Sequence, residues 1–299
     1  MPTVQSETFR DIVINPNLTD TQRQDLDIVI KKHESFFSDL PGSVDQVKHS
    51  IPLIDDTPVN VKQYPIPFHV QEAVNEEVKK MLSMDIIEPS SSPFAAPVLL
   101  IKKPDKSNRF VIDFRALNGH TQFDAEPIPD VDALFAKLHE KKFFSKIDLA
   151  KGYWQIDMLP EDRPKTAFRT PQGLFQFKRM PFGLKTAPST FARMMNQLNL
   201  DEFDAVHFFD DILLASDDWA SHVNKLGALF AHLQSFGLTA RPTKVELGST
   251  SVEFLGHVVG QSGMSPIDRK VKKLLSLCSQ HKEAGSLSFG HGRFLSHIH

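Results

Sequence analysis

Two adjacent acidic residues in this sequence could hold a divalent metal ion. Asp210 and Asp211 join two strand-prone apolar runs, AVHFF and ILLAS, which predicts a β-hairpin with both carboxylates at its tip. Neighbouring like charges beside a buried strand are unfavourable unless a bound cation, or protonation of one acid, relieves them. An Asp-Asp turn is also ordinary solvent-exposed structure, and Asp55 and Asp56, in a proline-rich stretch, illustrate that alternative.

A third acid follows a separate apolar run. Asp148 directly follows the segment FFSKI, and a Lys-Gly turn comes shortly after it. An aspartate at such a place is either a turn cap or a metal ligand. If this strand and the hairpin are neighbours in one sheet, the three carboxylates converge. Carboxylate oxygens are the ligands that Mg²⁺ prefers, and two ions about 4 Å apart serve in-line phosphoryl transfer.

A basic hairpin precedes these acids. The strands VLLIKK and RFVID, with the turn PDKSN between them, carry Lys102, Lys103, Lys106 and Arg109. Such a cluster is either a solvated sheet edge or a clamp for a triphosphate, because Lys and Arg supply charge-assisted donors to phosphate oxygens. Together with the three acids, it would form a polymerase site.

Alternating helices and hairpins position these residues. Amphipathic patterns predict one helix in residues 1–45 with Thr19 as its cap, and further helices over residues 71–84, after a cap at Asp130, from Pro188 onward and over 218–236. The stretch TKVELGSTSVEFLGHVVG predicts a hairpin, and Ser265-Pro266 is the predicted start of a last helix. This order indicates an α+β protein built on an antiparallel sheet.

Composition excludes several classes of protein. The 299 residues carry a net charge of −3, so contact with a nucleic acid would depend on local basic clusters. A single cysteine, Cys278, excludes an internal disulfide and a cysteine-rich zinc module. No signal peptide or membrane span is indicated, so we expect an intracellular, cytoplasmic location without membrane contact.

The motifs also resemble those of a known family, the reverse transcriptases of gypsy-type long-terminal-repeat retrotransposons. The resemblance covers roughly residues 48–275 and runs, in order, through IIEPSSSPFAAPVLLIKKPD, RFVIDFRALN, FFSKIDLAKGYWQI, KTAFRTPQGLFQFKRMPFGLKTAPSTF, FFDDILLAS and VEFLGHVV. It implies a right-hand polymerase fold with an antiparallel palm sheet. It also implies RNA- and DNA-directed DNA synthesis from deoxynucleoside triphosphates on a primed template, with two Mg²⁺ ions or Mn²⁺ in their place.

The resemblance further implies a division of the chain. Residues 1–46 would be a leader with a helix, and residues 47–275 the polymerase. Within it the fingers would span about 70–125 and 160–185, and the palm about 126–159 and 186–260. Residues 276–299 would be a loose tail in place of most of the thumb. We therefore expect a fragment of a polyprotein, without the protease, RNase H and integrase domains, that is particle-associated if the element is active.

Individual roles follow position by position from the same resemblance. They are metal binding and catalysis by Asp148, Asp210 and Asp211 with the Leu149 carbonyl; nucleotide binding by Lys103, Arg109, Tyr153, Phe182 and Gly183; and primer grip by Phe254, Leu255, Gly256 and His257. Tyr153 would exclude a ribose 2′-hydroxyl, which disfavours an RNA-synthesising enzyme.

One departure from the family lies in the acidic motif, where Phe208 replaces the usual Tyr and keeps its packing without the hydroxyl. The expected lack of a thumb leaves a second hypothesis open, an inactive folded remnant with at most residual nucleic-acid binding.

Overall fold

The structure is a computed structural model that describes residues 6–55, 57–102, 108–127 and 130–267. Its helices are α1 (Asp20–Lys32), α2 (Phe68–Ser83), α3 (Arg115–His120), α4 (Val131–Lys137), α5 (Ala187–Gln197) and α6 (Trp219–Ser235). Its strands are β1 (Val13–Ile14), β2 (Val44–His49), β3 (Ile87–Pro89), β4 (Val98–Lys102), β5 (Asn108–Ile112), β6 (Phe143–Asp148), β7 (Ile156–Met158), β8 (Phe168–Thr170), β9 (Gly173–Phe177), β10 (Ala205–Phe208), β11 (Asp211–Ser216), β12 (Glu246–Ser249), β13 (Ser251–Phe254), β14 (His257–Gly260) and β15 (Gly263–Pro266).

A five-stranded sheet in the order β1-β12-β6-β11-β10 is the centre of the fold. Strand β6 pairs antiparallel with β11 and β12, and β11 pairs antiparallel with β10. Successive residues of β11 belong to two separate apolar clusters, with Ile212 and Leu214 in one and Leu213 and Ala215 in the other. Since side chains alternate across a strand, both faces of this sheet are covered.

Helix α6 fixes the two central strands from one face. The Asp218 side chain caps it by accepting the Ser221 N–H at 2.9 Å, and Gly237, with φ of 76°, follows its end. Within the helix, the His222 ring lies 2.8 Å from the Ser145 hydroxyl of β6 and 3.2 Å from the Ser216 hydroxyl of β11. This buried histidine therefore connects the helix to both strands.

Among the described residues, four smaller sheets are formed by strands that come between and after those of the central sheet in the sequence. The hairpin predicted from VLLIKK and RFVID is the antiparallel pair β4-β5, and β3-β9-β8 form a second sheet. Strands β2 and β7 pair in parallel, and β13-β14-β15 form an antiparallel sheet. The predicted α+β class with antiparallel sheets is confirmed.

Two predictions for the C-terminal part were wrong. The stretch predicted as one hairpin is divided between two sheets, because β12 pairs with β6 while only β13 and β14 form the hairpin. Ser265 and Pro266, predicted to start a helix, end strand β15. Most of the predicted helix after them, and the tail 276–299, lie outside the described residues.

The N-terminal segment joins the central sheet. Strand β1 pairs in parallel with β12, and α1 packs against α6. A capping box at Thr19, whose side chain accepts the Gln22 N–H at 3.3 Å, starts α1 as predicted. The domain boundaries remain predictions. Across the described residues, no helix is long and apolar enough to cross a membrane.

Candidate active site

The three acids predicted to converge lie at one end of the central sheet. Asp148, the last residue of β6, is the register partner of Asp211, the first residue of β11. Asp210 lies in the turn before β11, and its carbonyl accepts the Leu149 N–H at 3.0 Å. The condition on which the prediction depended, that the two strands are neighbours, is met.

The turn that carries Asp210 is locally strained. Phe208 pairs with Asp211, so Phe209 and Asp210 are the two central residues of the hairpin. Phe209 has φ of 51°, a left-handed conformation that costs a non-glycine residue on the order of 1 kcal/mol or more. The Phe209 ring packs edge-on against Phe208, with centroids 5.0 Å apart, which helps to hold this conformation.

Burial and mutual repulsion perturb two of the carboxyl groups. Burial raises the pKa of Asp148, the nearby Asp211 raises it further, and the Lys244 ammonium opposes both effects. Asp210 is exposed as a residue, but desolvation of its carboxyl group and the charges of Asp148 and Asp211 raise its pKa as well. A bound divalent cation would relieve this repulsion, so the donor set fits a hard metal ion.

Two lysines contact the same carboxylates. The Lys244 Nζ lies 2.9 Å from Asp148 Oδ2, and the Lys146 Nζ lies 3.4 Å from Asp211 Oδ1. Among the described residues, no group of three or more Asp, Glu, His or Cys side chains is already arranged as a ligand set. The acids therefore share their site with cations of the chain itself, which sequence reasoning did not identify.

The loop after Asp148 approaches the acidic turn closely. Leu149 is buried, and its carbonyl accepts the Gly152 N–H at 3.4 Å. A Cβ at Gly152 would lie 3.3 Å from the Asp210 Cβ, which is tighter than most such contacts, and 3.5 Å from the Phe191 ring, which is an ordinary contact. Glycine is therefore favoured here by space rather than by its backbone freedom.

Gln155 braces this loop from beneath. Its buried amide donates to the carbonyls of Ala150 at 2.8 Å and Thr239 at 3.0 Å, and it accepts the Thr239 N–H at 2.8 Å. Because Ala150 lies two residues after Asp148, these bonds fix where the loop leaves the strand. The sequence showed Gln155 only as part of a motif, without this role.

Aromatic residues form a wall beside the acids. The Tyr153 ring stacks on Phe182, with centroids 5.0 Å apart and 22° between the planes, and packs on Phe191 at 5.2 Å. Burial raises the pKa of Tyr153, and the charge of Asp210 adds to the effect. Phe182 is 51% exposed and Phe191 is buried, so the Phe182 end of this wall faces solvent.

Gly183 is held by a neighbouring side chain. It has φ of 92°, which favours glycine, and its carbonyl accepts the Asn118 amide at 2.8 Å. The same Asn118 side chain accepts the Lys185 N–H at 2.8 Å. The segment after Phe182 is therefore fixed to α3.

The structure describes the side chains of only part of the predicted nucleotide-binding set. Lys103 lies outside the described residues, and so does the side chain of Arg109. The Arg109 backbone is in β5, opposite Ile101 of β4. The roles of both residues remain predictions.

The predicted primer-grip residues form the β13-β14 turn. Phe254 pairs with His257, and both Leu255 and Gly256 have positive φ, as in the tight turns typical of hairpins. Phe254 is buried in the second apolar cluster, and the His257 ring packs on Phe135 with centroids 5.1 Å apart. The hairpin is thus anchored to α4 through its side chains, and Leu255 and Gly256 form its tip.

Antiparallel sheets with an acidic hairpin beside a strand-terminal aspartate are arranged as in the fingers and palm of the right-hand polymerase fold. The chain has this fold in common with foamy virus protease-reverse transcriptases. The structure in complex with an RNA/DNA hybrid has a TM-score of 0.81 at 20% identity, and covers 95% of this chain and 41% of that one. The selenomethionine-labelled prototype foamy virus mutant has a TM-score of 0.75 at 25% identity, and covers 89% and 36%.

Sequence comparisons give the family. The profile described as "Reverse transcriptase (RNA-dependent DNA polymerase)" matches residues 101–259. The Pol polyprotein of Drosophila melanogaster transposon 297 is 38% identical over 77% of this chain and 22% of its own length. That of transposon gypsy, also from Drosophila melanogaster, is 31% identical over 91% and 27%. The chain belongs to the reverse transcriptase family, and spans about a quarter of these relatives.

Proposed function

We propose that this chain is an RNA- and DNA-directed DNA polymerase that adds deoxynucleotides to the 3′-hydroxyl of a primer. The observation that carries the proposal is the pairing of Asp148 with Asp211 across two strands, with Asp210 in the adjoining turn. Membership in the reverse transcriptase family supports the same reaction class. The substrates would be deoxynucleoside triphosphates and a primed RNA or DNA template.

The acidic residues would hold two Mg²⁺ ions, or Mn²⁺ in their place. The carboxylates of Asp148, Asp210 and Asp211 and the Leu149 carbonyl are the proposed ligands. Such ions supply activation of the attacking hydroxyl and charge neutralisation on the leaving pyrophosphate. The raised pKa values of Asp148 and Asp210 support this assignment, because closely spaced carboxylates gain most from a cation.

The chain's own residues would bind and orient the nucleotide. Lys103 and Arg109 are the proposed contacts to the triphosphate, as charge-assisted donors to its oxygens. The face of Tyr153, supported by Phe182, would lie beside the sugar and leave no room for a 2′-hydroxyl. Phe182 and Gly183 would line the pocket of the base pair that forms.

The hairpin of Phe254, Leu255, Gly256 and His257 would position the primer end. Its anchoring to the second apolar cluster fixes a tight turn at the edge of the fold, and a backbone turn can track a nucleic-acid backbone without reading its sequence. An RNA/DNA hybrid is bound by a foamy virus relative of the same fold. The relatives named as Pol polyproteins support the proposal that this domain works as part of a polyprotein, in which protease, RNase H and integrase domains would be the other parts.

Primer extension tests the proposal. Oligo(dT)-primed poly(rA) with Mg²⁺ and dTTP should be extended by the wild type, and Asp210→Asn should lower the rate by about 100-fold or more. Asp55→Asn is the matched control, because Asp55 lies in the other Asp-Asp pair and contacts the exposed His120 instead. Absence of extension by folded wild-type protein would refute the proposal and favour the inactive remnant.

A further inference from the structure

The N-terminal segment reaches the acidic site from outside the region matched by the family profile. The Ser6 hydroxyl donates to Asp39 Oδ2 at 2.5 Å, and further along β1 pairs with β12. Between these two anchors, Glu7 lies beside the loop that precedes β12. This loop contains a short helical turn, Pro242–Lys244.

Glu7 holds this loop through several contacts. Its Oε1 accepts from Arg241 Nε at 2.9 Å and from Nη2 at 2.6 Å, and its Oε2 accepts from Nε at 3.3 Å, so the pair is joined by charge-assisted hydrogen bonds. It also accepts the Thr243 hydroxyl at 2.7 Å and the Thr243 N–H at 3.3 Å. Arg241 holds the pKa of Glu7 below its usual range, so Glu7 is charged at neutral pH.

The opposite side of the same loop contacts Asp148. The Arg241 N–H donates to the Asp148 carbonyl at 2.9 Å, and the Lys244 ammonium lies 2.9 Å from Asp148 Oδ2. The Lys244 side chain is 53% exposed, so an isolated ion pair there would be weak and its lysine mobile. Fixing the loop lowers the entropy that Lys244 loses on reaching the carboxylate.

We propose that Glu7 is a positioning residue of the polymerase site, holding the Arg241–Lys244 loop so that the Lys244 ammonium stays on Asp148. The inference rests on the proposed function, in which Asp148 is a metal ligand. An ammonium on this ligand opposes the binding of a divalent cation, since like charges repel at this range. Glu7 thereby sets how readily the metal enters.

Manganese binding measures this effect without any polymerase reaction. Electron paramagnetic resonance follows the binding of Mn²⁺. We expect Lys244→Met to raise the affinity for Mn²⁺ by about 10-fold. Glu7→Ala should raise it by about 3-fold, because the ammonium is then less localised. In the Lys244→Met background, Glu7→Ala should change nothing, since residues acting through one contact are not additive.

Controls separate this role from general destabilisation. Glu34→Ala removes an exposed glutamate for which the described residues include no ion-pair partner, and should leave Mn²⁺ affinity unchanged. The Lys244 and Val245 amides donate hydrogen bonds to carbonyls within the loop. Their hydrogen exchange should accelerate in Glu7→Ala but not in Glu34→Ala. If Glu7→Ala does not fold, the exchanged pair Glu7→Arg with Arg241→Glu should restore both readouts.

The outcomes distinguish the two proposals. If wild type and Asp210→Asn bind Mn²⁺ equally, the proposed metal site is wrong. Faster hydrogen exchange in Glu7→Ala would then still support the hold of Glu7 on the Arg241–Lys244 loop, and unchanged exchange would overturn it. If Mn²⁺ binds at the acids and its affinity changes in Lys244→Met but not in Glu7→Ala, the positioning role of Glu7 is overturned while the proposed function stands. The positioning role is also overturned if Glu7→Ala changes the Mn²⁺ affinity equally in the wild type and in Lys244→Met.

Discussion

Acidification should destabilise this protein through histidines buried without charge, of which His222 contacts both central strands of the main sheet. It is fully buried between α6 and the central strands, and burial lowers its pKa to about 4. In the unfolded chain its pKa returns to about 6.5. The folded state therefore excludes a proton that the unfolded state accepts, so stability is lost as the pH falls below about 6.5, until the folded pKa is reached.

The expected loss follows from these two pKa values. Between pH 7.5 and pH 5, a group with a pKa of about 6.5 unfolded and about 4 folded changes the free energy of unfolding by about 2 kcal/mol. His49, buried with its Nδ1 2.8 Å from the Thr190 hydroxyl, has its pKa lowered to about 4 as well and contributes a similar amount. Together they should cost about 4 kcal/mol.

Urea unfolding at the two pH values measures this quantity. His222→Gln should lower stability at pH 7.5, because the Ser145 and Ser216 contacts change, but its further loss on going to pH 5 should be smaller by about 2 kcal/mol. The raised pKa values of Asp148 and Asp210 act in the opposite direction, but equally in both proteins. They therefore cancel in the comparison.

The exposed His139 is the control, and His139→Gln should leave the pH dependence of wild type intact. The reasoning is refuted if His222→Gln and wild type lose the same stability between the two pH values. His49→Gln tests the second histidine independently.

Three further changes probe the site. Tyr153→Ala should reduce the preference for deoxynucleotides over ribonucleotides by about 100-fold in kcat/KM, measured with paired triphosphates, and an unchanged ratio would exclude the ring as the sugar gate. Gly152→Ala should lower the rate of primer extension at least about 10-fold because its Cβ would crowd Asp210. Gly119→Ala is the control, since the space around Gly119 is open, and equal rates for the two variants would contradict the crowding. Gln155→Ala should lower the free energy of unfolding by about 2–3 kcal/mol in thermal denaturation, and a loss below 1 kcal/mol would rule out the brace.

The two elements that carry the acids could be predicted because each depends on local patterns. A strand ending at Asp148 and a hairpin tip at Asp210 and Asp211 follow from apolar runs and turns, and only their adjacency had to be assumed. The caps at Thr19 and Asp130 were likewise local and are confirmed.

The lysines beside the acids could not be predicted in the same way. Lys244 reaches Asp148 only because β12 pairs with β6, and periodicity assigned β12 to a hairpin with β13 instead. Glu7 and Arg241 are 234 residues apart in the chain, so no local signal connects them. The crowding at Gly152 likewise depends on a hairpin that comes much later in the sequence.

The pairing of β1 with β12 has a consequence for the order in which the protein can fold. The Asn15 side chain donates to the carbonyl of Gly248, 233 residues further on, and β6 also needs β12 on its open side. During synthesis, the edge of β6 therefore stays unpaired until almost all of the described chain has been made. Contacts this distant in sequence are slow to form and leave strand edges open to other chains meanwhile. Completion of the acidic site by Lys244 is thus also among the last steps of folding.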